Sequence, residues 1–227
     1  MSHETTGAEG SSVAGQRPAE PPELPELPAL RAGRTLLVAE SGDLERYNLD
    51  LRVAAARSDP EESAVFVTTE TGAERMVDRY RSVTGDDSPE TVGVVDAVST
   101  DQSVPATYRE TPTVYVPAPH ELARLSLALS DLTPPYAHEV RRKHLVFQSL
   151  TPLFDALDGA TVARFVRETV GESPEIDGFA IFRVDFTAHD EATMERLRDL
   201  ADMLLWVEET PDGELDYEFE RPRSATR

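Results

Sequence analysis

The sequence predicts an α/β fold with a mainly parallel sheet and an antiparallel edge at its C-terminal end. Three observations carry this. From residue 33 onward, short runs rich in Val, Leu, Ile and Phe alternate with segments of helical spacing. Several of the runs are continuously apolar, as strands buried on both faces must be. The last two runs are separated by the turn signal PDG, which pairs them as a hairpin.

The strand candidates, in order, are RTLLVAE (34–40), SAVFVTT (63–69), TVGVVDAV (91–98), TVYVP (113–117), HLVFQ (144–148), GFAIFRVDF (178–186), MLLWVEE (203–209) and ELDYEFER (214–221). Helical segments lie between them. LERYNLDLRVAAARS (44–58) places Leu44, Tyr47, Leu49 and Leu51 to Val53 on an imperfect stripe. GAERMVDRYRSVTG (72–85) has Met76, Val77, Tyr80 and Val83 at helical spacing. PHELARLSLALSDL (119–132) carries Leu122, Leu125, Leu127, Leu129 and Leu132. LTPLFDAL (150–157) and ATVARFVRETVG (160–171) follow the fifth strand. DEATMERLRDLADM (190–203) puts Met194, Leu197 and Leu200 on one face. No internal repeat is visible.

Composition narrows the function classes. The 227 residues suit one medium domain with some extra length. Acids outnumber bases 43 to 22, for a formal net charge of -21, and Lys143 is the only lysine. A field of that sign repels nucleic acid and anionic lipid. Acid excess with almost no lysine is the pattern of proteins from salt-loving archaea, where molar salt screens like charges within ~3 Å. The absence of cysteine excludes disulfides, thiolate nucleophiles and Cys-based zinc sites. No apolar run approaches the ~20 residues of a membrane helix, and the polar N-terminus is no signal peptide, so a cytoplasmic protein is expected. Residues 1–32 are rich in Gly, Ser, Glu and Pro and read as a disordered arm. Its second half, PAEPPELPELPAL, favours polyproline II, as a stiff spacer or a docking motif for a proline-reading partner. Residues 222–227 read as a disordered tail.

KHLVFQSLTPLFDAL (143–157) resembles the second key strand of RecA/KaiC-type ATPases, where an apolar strand ends in an acid followed by Ser-Leu-Thr and a helix. TAHDEATMERLRDLADMLLWVEE (187–209) resembles the KaiC-type ending, and PAPHELARLSLAL (117–129) the helix before the key strand. A narrower likeness is to haloarchaeal KaiC-like domains that commonly lack the phosphate-loop signature. It covers about residues 33 to 209; the locally specific motifs are QSLTPL (148–153) and HDEATMERLRDLAD (189–202). The resemblance implies a three-layer RecA/KaiC-like domain over 33–221 and places any nucleotide loop at ESGDLER (40–46), after the first strand.

The residues there do not suit ATP. A phosphate loop needs consecutive free backbone N–H groups, a lysine at the β/γ-phosphates, and a hydroxyl plus an acid on Mg²⁺. At Ser41, Gly42 and Asp43 only Gly42 takes positive φ without cost. No lysine is near, and Arg46 is a bulky planar substitute. Glu40, Asp43 and Glu45 repel a triphosphate. The position of the metal acid is Gln148, whose amide oxygen is a weak Mg²⁺ ligand. Glu70 stands where the superfamily has its catalytic glutamate, but without chelated phosphate it has no water to activate and reads as a solvated acid at a helix start. Read without the resemblance, the loop is a strand-to-helix turn with Ser41 or Asp43 as N-cap.

Other candidates are weaker. Asp190, beside His189, reads as a helix start rather than half of a metal motif, since His3, His120, His138 and His144 offer no second partner motif. No G-x-S-x-G elbow exists for a serine hydrolase. RRKH (141–144) reads as charge balance at a strand entrance, and Trp206 as core. The expectation is therefore a non-catalytic, pseudo-ATPase module without metal or cofactor, acting through a protein partner or self-association. The alternative is a divergent ATPase that binds ATP and Mg²⁺.

Overall fold

The computed structural model describes residues 23–41, 44–59, 61–85, 92–99, 111–132, 142–171 and 177–221. The expected tail 222–227, the first 22 residues of the arm, Gly42, Asp43, His138 and Arg141 lie outside them.

Among the described residues eight strands form one sheet: β1 (Thr35–Glu40), β2 (Ser63–Thr68), β3 (Val92–Asp96), β4 (Thr113–Tyr115), β5 (Lys143–Phe147), β6 (Ala180–Asp185), β7 (Met203–Glu209) and β8 (Leu215–Glu220). The spatial order is β4-β3-β2-β5-β6-β1-β7-β8. All neighbours run parallel except β7 and β8, which pair antiparallel from Leu204↔Glu220 to Glu209↔Leu215. β1, β2 and β5 are buried along their whole length, which is why their sequences are apolar without alternation.

Among the described residues five α-helices cover the sheet: α1 (Leu49–Arg57), α2 (Ala73–Thr84), α3 (Leu122–Asp131), α4 (Gly159–Gly171) and α5 (Glu191–Arg198). The crossovers from β1 to β2 and from β2 to β3 step toward the β4 edge; those into β5, β6 and β7 step back toward β8. A single crossover hand then sends the two sets of helices to opposite faces. The packing agrees: α1 and α2 share one apolar cluster with Val38, Phe66 and Ile181, while α3, α4 and α5 share the other with Leu37, Phe147 and Phe182. The result is a three-layer α/β domain.

Several elements differ from the sequence expectation. The helix expected over 44–58 is broken into a 3-10 turn (Glu45–Tyr47) and α1, because Asn48 adopts left-handed φ 48°, ψ 44°. Ser41 therefore caps no helix. The segment 150–157 is a 3-10 turn (Thr151–Asp155) entered through Pro152. α5 ends at Arg198, and Asp202 beyond it accepts the Thr35 N–H at 2.9 Å and pairs with Arg34 at 2.5 Å. On α3, Leu127 is 61% exposed while Leu125 and Leu129 are buried. Residues 23–32, placed by composition in the free arm, lie against the α1/α2 side of the core through Leu24, Leu27 and Leu30.

Candidate functional site

Ligands of open α/β sheets bind beyond the carboxyl ends of strands, where neighbouring connections leave to opposite faces. Here β2 is followed by α2 on one face and its neighbour β5 by α4 on the other; β1 and β6 part in the same way. The side chains gathered at these strand ends are Glu40, Glu70, Gln148 and Arg183, with Glu45, Asp50 and Arg79 from the α1/α2 side.

Arg183 is the centre of the cluster. It is buried on β6, which separates β1 from β5. Its Nη1 donates to Glu40 Oε1 at 2.7 Å, its Nε to the Gln148 carbonyl at 2.5 Å, and its Nη2 to Glu70 Oε2. A guanidinium has five N–H donors in a planar fork and no acceptor, so burial is tolerable only when acids and carbonyls surround it in this way.

The Gln148 side chain closes the second half of the rim. Its Oε1 accepts the backbone N–H groups of Thr69 at 3.0 Å, Glu70 at 3.0 Å and Thr71 at 3.2 Å. Three successive amides converging on one oxygen make an anion-binding nest, and a neutral amide of the chain itself fills it. Gln148 Nε2 donates to Thr71 Oγ1 at 2.9 Å and Glu45 Oε1 at 3.2 Å, and Arg79 pairs with the same Glu45 oxygen. Thr69 Oγ1 donates to the Ser149 carbonyl at 2.7 Å, which locks the β2 and β5 exits together.

Four carboxylates thus face two guanidinium groups. Burial pushes the Glu40 carboxyl up to about 7, with the nearby Asp50 and Glu70 charges adding to the rise and Arg183 opposing it. Burial likewise raises Asp50 against the pull of Arg183. Glu45 is lowered: its hydrogen bond to Arg79 and the Arg79 and Arg183 charges outweigh its partial burial. The network holds at least one proton more readily than isolated acids would.

The sequence candidates resolve as follows. Ser41 carries β1 one step further, its N–H donating to the Val207 carbonyl at 3.0 Å, so that amide is not turned toward a ligand. Gln148 sits at the strand-end rim with Glu40 and Glu45. Glu70 is exposed over much of its length, yet its carboxylate is tied to Arg183, so it is not the simple solvated acid expected. The sequence reading missed Arg183, Asp50 and Arg79. The available signal was an arginine inside the apolar run FAIFRVDF, a charge that a strand covered on both faces must pair.

The remaining candidates are structural. Asp190 caps α5, accepting the Thr193 N–H at 2.8 Å. His189 Nε2 lies 3.2 Å from Thr151 Oγ1 and its ring packs on Phe154. His144 Nδ1 accepts the Phe179 N–H at 3.1 Å, so Nε2 carries the proton toward Glu62 Oε2 at 2.9 Å. Burial lowers its pKa although Glu62 opposes, and both ring nitrogens are committed. Arg142 joins Glu62 at 3.2 Å, the charge balance expected at the entrance of β5. Trp206 is partly buried against Phe186, ring centroids 5.3 Å apart. Among the described residues no cluster of His, Asp and Glu could hold a metal ion, and no helix is long and apolar enough to cross a membrane.

Residues 33–207 match the family of unknown function DUF7504, and the chain belongs to that family. No match was found among curated proteins. Two solved structures from Pyrococcus horikoshii share the fold. The uncharacterised protein PH0321, solved in complex with an unknown peptide, superposes with a TM-score of 0.57 at 10% identity, over 85% of each chain. The protein PH0250 superposes with a TM-score of 0.53 at 16% identity, over 87% of this chain and 90% of that one.

Proposed function

We propose that this chain is a non-catalytic RecA/KaiC-like module, a pseudo-ATPase that acts by binding a protein partner or itself, in the cytoplasm of a halophile. The observation that carries the reading is the state of the strand-end rim. An ATPase keeps free amides, a lysine and a metal acid there. In this chain the amides of residues 69–71 are occupied by Gln148, and Glu70 and Glu40 are occupied by Arg183. A triphosphate would have to displace an ion-paired cluster and enter among excess carboxylates. The RecA/KaiC resemblance supplies the interaction role, since such proteins act through subunit interfaces. The peptide bound to the PH0321 protein is a second support, at the level of fold likeness.

Calorimetric titration with Mg-ATP in molar KCl tests the reading. We expect no heat of binding at tens of micromolar protein and no phosphate release. Micromolar affinity with magnesium-dependent turnover would overturn it in favour of the divergent ATPase.

A further inference from the structure

The amino ends of β1 and β7 frame a cavity of about 470 Å³ lined by three arginines. Arg31 and Arg34 lie on one turn, closed by the Arg34 N–H donating to the Arg31 carbonyl at 3.1 Å. Arg221 comes from the residue after β8. Among the described residues Asp202 is the one acid that lines the cavity. Both its oxygens are engaged, one by Arg34 Nη1 at 2.5 Å and the other by the Thr35 N–H at 2.9 Å. Arg31 and Arg221 have no carboxylate partner among the described residues; the Arg221 guanidinium stands 6.0 Å from the centroid of the Phe219 ring. Acids outnumber bases 43 to 22 in the chain, yet around this cavity three guanidinium groups meet one carboxylate. The local sign is the reverse of the chain's.

The rest of the wall is apolar and held in place. Pro28, Ala29 and Met203 supply it. Met203 opens β7 and is buried in the core. Pro28 and Ala29 lie between Leu27 and Leu30, which pack on that core, and Arg57 Nη2 donates to the Leu27 carbonyl at 2.7 Å. The Gly33 N–H donates to the Gly178 carbonyl at 2.7 Å and anchors the turn that carries Arg31 and Arg34. The cavity therefore exists without movement of any segment. Its volume falls in the range of small-molecule sites, roughly 300–1,000 Å³, with charge on one side and an apolar wall on the other.

We propose that this cavity binds the phosphomonoester group of a small organic molecule, with the phosphate on the arginines and the organic part against Pro28, Ala29 and Met203. Guanidinium forks donate in pairs to phosphate oxygens. Arg34 spends Nη1 on Asp202, and a guanidinium has five N–H donors, so donors remain for a ligand. Three positive charges less one negative leave two. A phosphomonoester brings about -1.5 to -2 at neutral pH and three acceptor oxygens; a carboxylate brings one charge and two oxygens. The net charge of -21 opposes any anion at long range, but salt screens that field beyond about 10 Å at 0.1 M. Inside that distance the arginines dominate. The proposal does not rest on the pseudo-ATPase reading, because the cavity lies at the amino ends of β1 and β7, opposite the Arg183 rim.

The test is a titration of the full, nitrogen-15-labelled chain with phenyl phosphate at constant KCl, followed by backbone amide shifts. We expect saturable binding with a Kd of about 1 mM. The shifts should centre on residues 31–34, 202–203 and 221, with none at the rim amides 69–71. Inorganic phosphate, which lacks the organic part, and benzoate, which lacks the phosphate, should each bind about fivefold more weakly. Arg31→Gln and Arg221→Gln, both at exposed positions, should each weaken phenyl phosphate about fivefold and leave the amide spectrum elsewhere unchanged. Shifts centred on the rim overturn the proposal, as does the absence of saturation by about 20 mM ligand, indifference to both substitutions, or benzoate binding as tightly as phenyl phosphate. A phosphoserine peptide that binds about tenfold more tightly than phenyl phosphate would assign the site to a modified protein and refute the small-molecule ligand. Millimolar binding is silent in calorimetry at tens of micromolar protein, so this experiment and the Mg-ATP titration fail independently.

Discussion

Glu40 and Arg183 show how one residue sets the character of the rim. Arg183 is held charged although burial alone would lower its pKa, because Glu40, Asp50, Glu70 and Glu45 surround it. The acids outnumber the two cations Arg183 and Arg79, and the buried Glu40 is raised from 4.5 to about 7. A raised carboxyl means that the folded state binds a proton the unfolded chain has already released. The resulting stability is present below the unfolded value and is lost as pH rises through about 7. Glu40→Gln fixes the neutral form and keeps an oxygen for Arg183. We expect thermal melts in constant high salt to show the wild type losing stability from about pH 5 to 8, and Glu40→Gln to flatten that loss, so that the variant is the more stable at the alkaline end. His144 titrates in the opposite sense: its lowered pKa gives stability above its ordinary value that is lost on acidification. It is common to both proteins and cancels in the difference. Parallel pH profiles for the two would mean that Glu40 remains ionised in the fold.

At the scale of elements, the strands were legible because burial on both faces leaves unbroken apolar runs, and all eight runs are strands of the one sheet. The PDG turn likewise gave the antiparallel pair. What escaped has a physical cause in each case. Residues 24–30 were read from composition as part of the free arm; their leucines repeat every three residues, a period belonging to neither strand nor α-helix, so no packed face was visible. The rim was read from Glu40, Glu45, Gln148 and Glu70 without the arginines that tie them, since an arginine in a strand carries no mark of which acids will meet it from β1, α1 and the β2 exit. The break at Asn48 was hidden because Leu44, Leu49 and Leu51 are buried either way. Its conformation is testable. The Asn48 carbonyl accepts the Arg52 N–H at 2.9 Å and so begins α1, while its backbone is left-handed. Asn and Gly visit that region at low cost, and other L-residues pay roughly 1–2 kcal/mol. Urea unfolding should therefore place Asn48→Ala about 1 kcal/mol below the wild type and Asn48→Gly within about 0.5 kcal/mol of it. Equal loss in both would indicate that the Asn48 side chain, and not its backbone angle, holds the junction.

For the molecule as a whole the governing quantity is the net charge of -21. Its effect is local as well as global. In the β7–β8 hairpin Glu208 stands opposite Asp216, and Glu218 and Glu220 follow on the same side of the edge strand. Like charges directly opposite on a sheet oppose pairing, and the excess of 43 acids over 22 bases tilts the whole chain the same way. Screening sets how far each charge is felt: about 10 Å at 0.1 M salt and about 3 Å at 1 M. The melting temperature should accordingly climb steeply from 0.1 to 1 M KCl and level off beyond, because neighbouring side chains are then already screened from one another. The neutralising change Asp216→Asn should raise the low-salt melting temperature and lose that advantage in 2 M KCl. A curve that is flat or falls with KCl would remove self-repulsion as the main term. A rise that continues linearly past 2 M would assign the salt effect to exclusion of ions from the protein surface, and in that case Asp216→Asn and the wild type should keep a constant offset at every concentration.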